Sequence, residues 1–342
     1  MDRIAYIIGE TFLYWNSIVL VLAVITAICF FLFFYLMRRG NGLGAALLVP
    51  LALAASILLS RLIHWYCCAN AYESMAASLT VYTGGGHALM GVFAGCALAA
   101  VAVRLLQAAK NLPNLFDCMA LGGATGIAVG RLACLFTAAD RGMVIENIKT
   151  LPLVYPVTNA VTGVVEWRLA TFMLQAIATG AIFLILAVFY LWPRKPHKAL
   201  KDGDTAMLFL QLYCCVQVVL DSTRYDSLFL RSNGFVSIVQ ILCAVAVVLV
   251  MVTFSVRMVK ARGFRWWYVP VWLVYAALAG GAGFMEYWVQ RHGDQALFSY
   301  SVMGACALGL ALMVAAVRRL AVTGEWEKVL VESNKNVTNS RA

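Results

Sequence analysis

Charge is what this chain has least of. Only 12% of its residues are charged, while 63% are hydrophobic; ordinary soluble domains carry about 25% charged residues. That shortage excludes a water-soluble fold, because so few charges cannot cover so much apolar surface. Cysteines number ten, yet no C-x-x-C is paired with a second such motif, so a zinc-type centre has no ligand set. Cys29, Cys96, Cys118, Cys134, Cys214, Cys215, Cys243 and Cys306 lie in or near apolar segments and read as small apolar side chains. Cys67-Cys68 is left as the redox candidate. Low-complexity stretches and internal repeats are lacking. A cleavable signal peptide is not expected, since the first apolar run is long enough to span a bilayer.

What the chain has in abundance is long apolar runs. They cover approximately 17–37, 44–63, 88–107, 119–138, 169–192, 205–222, 234–256, 267–288 and 296–317. A span needs about 20 such residues to cross about 30 Å of hydrocarbon. Nine spans are therefore expected, in an all-α polytopic membrane protein. Pro50 interrupts the second run, and glycines fill the fourth. The net charge of +10 would suit nucleic acid, but the basic residues sit in short loops between runs, the pattern that sets membrane orientation. Arg38-Arg39, Arg104 with Lys110, Arg194 to Lys201, Arg257 to Arg265, and Arg318 onward occupy alternate loops. Those loops face the cytoplasm, which puts the N-terminus outside and the C-terminus inside. The outer loops are 64–87, 139–167, 223–233 and 289–295. The first two form a small extracytoplasmic cap with some strand around Leu151 to Glu166. The tail from Glu332 to Ala342 is polar and expected to be disordered.

A charge inside a span costs roughly 2.5–3.5 kcal/mol at the helix centre, so such residues are functional candidates. Arg131 lies about 12 residues into the fourth run, or about 18 Å from the inner surface. The glycines of Gly126-Ile127-Ala128-Val129-Gly130 leave room beside it for a large partner. Asp221 and Arg224 share a helix face at i, i+3. They either neutralise each other or use the aspartate to aim the arginine at an anion; arginine grips phosphate with two parallel hydrogen bonds. Arg61 is either an interface anchor beside Trp65-Tyr66 or a further cation for such a ligand. Glu286 reads as an interfacial carboxylate. His64 and His87 lie at the outer surface near the arginines, where a neutral imidazole can take a proton.

These residues resemble the prolipoprotein diacylglyceryl transferase family. Four segments carry the resemblance in order: Ser60-Arg61-Leu62; Gly84-Gly85 with Gly91; Asp117 followed by Gly130-Arg131-Leu132-Ala133-Cys134; and Asp221-Ser222-Thr223-Arg224 followed by Gln240-Ile241-Leu242. They span roughly residues 15–256, or seven helices, leaving the last two as an added C-terminal pair. The chain also departs from the family pattern. Where the family continues N-F-x-N-x-E after its G-R pair, this chain reads Cys134, Leu135, Thr137 and Ala139, with Asp140 next door. Gln217 stands where a second arginine is usual, and His87 is two positions from the family's histidine.

The resemblance implies a seven-helix transferase-like core (1–256), two additional transmembrane helices (257–320) and a polar cytoplasmic tail (321–342), in a bacterial plasma membrane. It implies transfer of a diacylglyceryl group from phosphatidylglycerol to the thiol of a lipoprotein precursor, with release of glycerol phosphate. Arg131, Arg224 and His87 are the catalytic candidates. Arg61, Gly130, Asp221, Gln217, His64 and Asp140 are the substrate-binding candidates. The base is His87, His64 or Asp140, and the residues do not choose. Neither a metal nor an organic cofactor is implied. Partners are phosphatidylglycerol, the precursor's signal peptide and membrane lipids, without nucleic acid; no residue specifies an oligomeric state. The alternative is a catalytically impaired family member that binds anionic lipid or signal peptide. A transporter would show inverted repeats and broken helices, and neither is evident.

Overall fold

The computed structural model describes residues 4–8, 11–80, 86–145, 152–159, 162–192, 201–230, 233–292 and 295–339. Among the described residues, eight helices are long and apolar enough to cross a membrane. They are α1 (Trp15–Met37), α2 (Gly42–Cys67), α5 (Leu112–Arg131, continued by a 3-10 turn to Phe136), α6 (Thr171–Leu191), α7 (Asp204–Ser222), α8 (Ile238–Arg262), α9 (Tyr268–His292) and α10 (Ala296–Asn339). A shorter apolar helix, α4 (Leu89–Leu105), occupies the third run read from the sequence. Its 17 residues reach the lower limit of bilayer-spanning length. A one-turn helix, α3 (Met75–Leu79), sits between α2 and α4. The protein is thus an all-α polytopic membrane protein.

Among the described residues the strands form three two-stranded antiparallel hairpins. β1 (Ile4–Ile8) pairs with β2 (Thr11–Tyr14) immediately before α1. β3 (Val154–Thr158) pairs with β4 (Val165–Leu169) within the loop where strand was expected. β5 (Phe229–Leu230) pairs with β6 (Asn233–Ser237) just before α8.

Packing divides the chain into two compact units: Met1–Ile185 with Leu220–Gln240, and Leu186–Val219 with Ile241–Ala342. In the first, α1 packs on α5 and α2 on α4, and both contacts run through glycine. A methyl group on Gly95 of α4 would lie 2.5 Å from the backbone nitrogen of Ser56 on α2. One on Gly122 of α5 would lie 2.5 Å from the carbonyl oxygen of Ala27 on α1. Gly91 and Gly95, like Gly122 and Gly126, are four residues apart, the spacing that lets membrane helices approach to backbone contact. The space beside Gly126 and Gly130 is therefore taken by α1, where Ala27 and Ala23 are their nearest neighbours. It is not room for a ligand, as the sequence suggests.

The helix boundaries correct three further expectations. Asn111 caps α5, accepting from the backbone N–H of Asn114 at 3.2 Å, with Pro113 in the first turn. The helix so starts seven residues before the apolar run, and Arg131 is its last residue, about 30 Å along rather than in mid-span. Pro50 is accommodated inside a continuous α2. α10 runs on through Glu332 to Asn339 as helix. Beyond the apolar run no proline breaks it, and Glu325 and Glu327 meet Arg257 and Arg262 of α8.

In the second unit a buried carboxylate joins three helices. Asp204 opens α7 and is fully buried. One of its oxygens accepts from Arg257 of α8; the other accepts from Arg318 of α10 at 2.7 and 3.0 Å. Arg318 stacks over Phe189, and Arg257 also meets Glu325. Removing one partner of a buried ion pair is far more damaging than replacing the whole set. Asp204→Ala, which strands Arg318 and leaves Arg257 with Glu325 alone, is expected to lower stability by about 3–5 kcal/mol. Thermal unfolding in detergent will read this as a depressed midpoint; an unchanged midpoint would show that the carboxylate does not hold the three helices together.

Candidate functional site

The first unit gathers the conspicuous charges of the sequence at the ends of α5 and α7. Arg131 ends α5, the 3-10 turn carries the chain past Cys134, and Asp140 returns it. Asp140 has a φ of +54°, a left-handed conformation in which aspartate is one of the more tolerated residues. Its carboxylate bridges two guanidiniums: Arg131 donates to Oδ2, and Arg224 lies 2.6 Å from Oδ1. Arg224 also meets Asp221 at 3.3 Å and Asp226 at 3.0 Å. The thiol of Cys134 donates to Oδ2 of Asp140 at 3.3 Å.

The backbone around this cluster is held as tightly as its side chains. The Asp140 N–H donates to Asp226 at 2.9 Å, and its carbonyl accepts from Phe172 N–H in the first turn of α6 at 3.2 Å. Arg141, buried next to it, donates to the carbonyls of Cys134 and Thr137 at 3.1 and 3.0 Å and lies over the rings of Phe172 and Tyr155. Gly142 forms an antiparallel bridge with Arg224. A side chain there would come within 2.6 Å of the Thr171 hydroxyl, so only glycine fits. On the other flank, Ser237 donates to Asp221 and caps α8. Its hydroxyl accepts from Gln240 N–H at 3.1 Å, while the Gln240 side chain accepts from Ser237 N–H at 3.1 Å. That reciprocal pair is a capping box, and it fixes the start of α8 against the cluster.

Arg61, His64 and His87 form a second group around the loop between α2 and α4. Arg61 is 2% exposed, so it is no interface anchor. Its guanidinium donates to the carbonyls of Ser78, Thr80 and Gly86 at 2.8, 2.9 and 3.3 Å. His64 shares a hydrogen bond with the Tyr72 hydroxyl at 2.8 Å. His87 shares one with the Ser60 hydroxyl at 2.9 Å. Burial, with Arg61 nearby, holds the His87 imidazole below the usual histidine range. Gln217 is buried on α7 within the second unit. Gly130 faces Ala23 of α1. Glu286, on α9, is buried and accepts from Gln290 at 3.1 Å rather than lying at a free interface. The glycines Gly84 and Gly85 lie outside the described residues.

Sequence reading thus places Arg131, Asp140, Asp221 and Arg224 as site candidates, and the structure brings those four together. It misses Asp226, Gly142 and Ser237. Asp226 sits two residues past Arg224 in a loop, where nothing in the spacing marks it. The Ser237–Gln240 pair, in contrast, is the S-x-x-Q signature of a helix start and is legible before the apolar run of α8.

Burial alone would raise the pKa of Asp140, but Arg131 and Arg224 outweigh it and hold the carboxyl below the usual carboxylate range. A depressed folded-state pKa contributes stability that is complete above the unfolded value and is lost as pH falls through the folded one. Asp140→Asn is therefore expected to be less stable than wild type at neutral pH. The gap should close on acidification below the ordinary aspartate range. Thermal melts from neutral pH downward would show this; a gap that stays constant with pH would mean that the carboxylate's charge is not what the arginines need.

The chain matches the prolipoprotein diacylglyceryl transferase family over residues 3–256. It is 30% identical over 121 residues to the phosphatidylglycerol–prolipoprotein diacylglyceryl transferase of Streptococcus equi subsp. zooepidemicus strain H70. It is 29% identical over 121 residues to the protein of the same name from Streptococcus equi subsp. equi strain 4047. Each alignment covers 34% of this chain and 44% of the relative, so the chain spans less than half the length of the curated relatives it matches. The family match takes in about three quarters of the sequence and every residue of the Arg131–Asp140–Arg224 cluster; the chain belongs to the prolipoprotein diacylglyceryl transferase family.

Proposed function

We propose that this chain transfers the diacylglyceryl group of phosphatidylglycerol to the cysteine thiol of a lipoprotein precursor, at the cluster of Arg131, Asp140 and Arg224. One observation carries this reading: two guanidiniums share a single carboxylate, one on each oxygen. A phosphodiester presents a similar pair of acceptors on its two non-bridging oxygens, and arginine holds such groups with strong charge-assisted bonds. Asp140 then stands where the lipid phosphate would bind and yields at least one arginine when the lipid arrives.

In the reaction the precursor's sulfur attacks the glyceryl carbon. A carbon–sulfur bond forms as the carbon–oxygen bond to phosphate breaks, and glycerol phosphate leaves with the electron pair. Arg131 and Arg224 would stabilise the charge on that leaving group in a site of low dielectric. The thiol proton goes to a base, for which His87 is the best candidate. Its lowered pKa keeps it neutral and able to accept near pH 7, and Ser60 orients its ring. Asp140 is a poor base, because the two arginines favour its ionised form. Arg61 and His64 shape the loop beside His87, and Asp221 aims Arg224. Gly130 and Gln217 are kept as substrate-binding candidates from the family pattern. The lipid, the precursor's signal peptide and the surrounding bilayer are the partners.

The proposed setting is a bacterial plasma membrane, N-terminus outside and C-terminus cytoplasmic, with the hairpin of β3 and β4 in an extracytoplasmic cap. Residues 1–256 form the transferase core, 257–320 supply two added helices, and 321–342 are the cytoplasmic tail. A second reading is a family member that binds anionic lipid or signal peptide without the chemistry. It is favoured by the count in the cluster, where three aspartates face two arginines, and by Gln217 and Ala139 at positions where the family pattern has charged residues.

The test is transfer to a precursor peptide by the protein reconstituted in phosphatidylglycerol vesicles, read as the mass gained at the peptide's cysteine. Arg131→Ala is expected to reduce the rate by about 10²–10³-fold, and Arg131→Lys should recover little, since lysine cannot make the forked contact. Full activity in the alanine variant would overturn the mechanism, and lipid binding without transfer in the wild type would select the second reading. For topology, a membrane-impermeant thiol reagent is expected to label a cysteine placed at Leu153 and not one at Asp202, in cells carrying an otherwise cysteine-free chain. The reverse pattern would overturn the orientation.

A further inference from the structure

The hairpin of β1 and β2 is apolar and lies open. Ile4, Tyr6, Ile7, Phe12, Leu13 and Tyr14 are all exposed, Tyr6 and Ile7 at 65% and 56%. The register separates them into two faces. Tyr6 stands opposite Leu13, and Ile7 stands opposite Phe12. Residues paired across strands share a face, and neighbours along a strand take opposite faces. Tyr6 with Leu13 therefore lies on one face and Ile7 with Phe12 on the other. Exposed apolar surface of this kind marks contact with a protein or a membrane. A docked protein covers one face of a ribbon and leaves the other to water. A ribbon that is apolar on both faces suits immersion in lipid instead.

Its connections fix the depth of that immersion. The hairpin runs without a linker into α1, the span that begins at Trp15, so it stands at the end of that span. Among the described residues no third strand joins it, and the sequence between its strands is Gly9-Glu10. Hydrocarbon satisfies neither the unpaired backbone groups on the outer edges of a ribbon nor a carboxylate. The hydrated headgroup layer satisfies both. Tyrosine and tryptophan concentrate at that level, and here Tyr6, Tyr14 and Trp15 are exposed. Trp15 also stacks on Phe136, with ring centroids 6.0 Å apart. Phe136 closes the 3-10 turn that leads from Arg131 toward Asp140, so the foot of the hairpin lies beside the turn that carries the charged cluster.

We propose that the β1–β2 hairpin is a lipid-contacting ribbon that lies in the headgroup layer of the bilayer, both faces against lipid, beside the turn between Arg131 and Asp140. Its partner is the bilayer surface and not the lipoprotein precursor. The inference rests on the two apolar faces, the open edges and the junction with α1. It stands whether or not the chain carries out the transfer.

The test is fluorescence quenching of the full chain in lipid nanodiscs containing phosphatidylglycerol. Tyr6→Cys and Ile7→Cys, each in an otherwise cysteine-free chain, carry a fluorophore on opposite faces of β1. Leu13→Cys and Phe12→Cys repeat the two faces from β2, and thermal melts select the variants that fold like the parent. Asp202→Cys, at an exposed position before α7, is the aqueous reference. Quenchers are acrylamide in water and lipids with a nitroxide either near the headgroup or near the chain end. Expected on both faces is quenching by acrylamide several times weaker than at Asp202, with the shallow nitroxide quenching more than the deep one. The proposal is overturned if either face is quenched by acrylamide like the reference, or if the deep nitroxide quenches more. It is also overturned if the labels escape acrylamide and both nitroxides, which would mean that protein covers the hairpin. Protection that appears only when a precursor peptide is added would make the peptide the partner and overturn it too.

Discussion

The carboxylate of Asp140 is the constraint on which the first unit turns. Every polar group of that residue is used: the side chain joins Arg131 to Arg224, the N–H reaches Asp226, and the carbonyl receives the first turn of α6. Three helix ends and a loop are thereby fixed by one residue in a left-handed conformation. A buried arginine is costly unless paired, so each guanidinium makes the carboxylate indispensable, and the carboxylate in turn sets the separation of the guanidiniums. Anion recognition and local folding use the same contacts here. That shared use extends outward through Asp221 and Ser237 to the capping box that starts α8.

Much of this was legible in the residues. The apolar runs predict the helices to within a few residues at most ends, because span length and hydropathy dominate in a bilayer. Arg131, Asp140, Asp221 and Arg224 stand out because charge near a span needs a partner. What the residues do not reveal follows from the same physics. The start of α5 is set by Asn111 and Pro113, not by the first apolar residue, so a hydropathy window misplaces the depth of Arg131. The glycines near Arg131 read as vacancy in one dimension; in three they are the contact surface for α1. Asp226 is invisible because loop geometry, unlike helical spacing, leaves no period to read.

Arg61 shows the limit of reading a charge by its neighbours in sequence. Beside a tryptophan and a tyrosine it resembles a belt residue, yet all three of its guanidinium nitrogens are turned onto carbonyls of the following loop. A loop of polar backbone next to a membrane must satisfy its carbonyls somewhere, and a single arginine does so for the last turn of α3 and the residues after it. The charge is therefore structural first, holding the segment that carries His87.

The glycine contacts also bear on how such a chain is made. α1 packs against α5 and α2 against α4, so the first membrane helix does not have its close partner next to it in the sequence. During synthesis α1 enters the membrane with a face shaped for a backbone that has not yet been translated. It must wait among lipids until the ribosome has passed Arg131, and α2 must wait for Leu105. The two pairs are consequently nested in time, and the Arg131 end of α5 arrives only when α1, α2 and α4 are already in place. A pause in translation between α4 and α5 would leave half of the unit paired and α1 alone. The vulnerability of this protein to misassembly is thus greatest midway through its first unit, before any residue of the charged cluster exists.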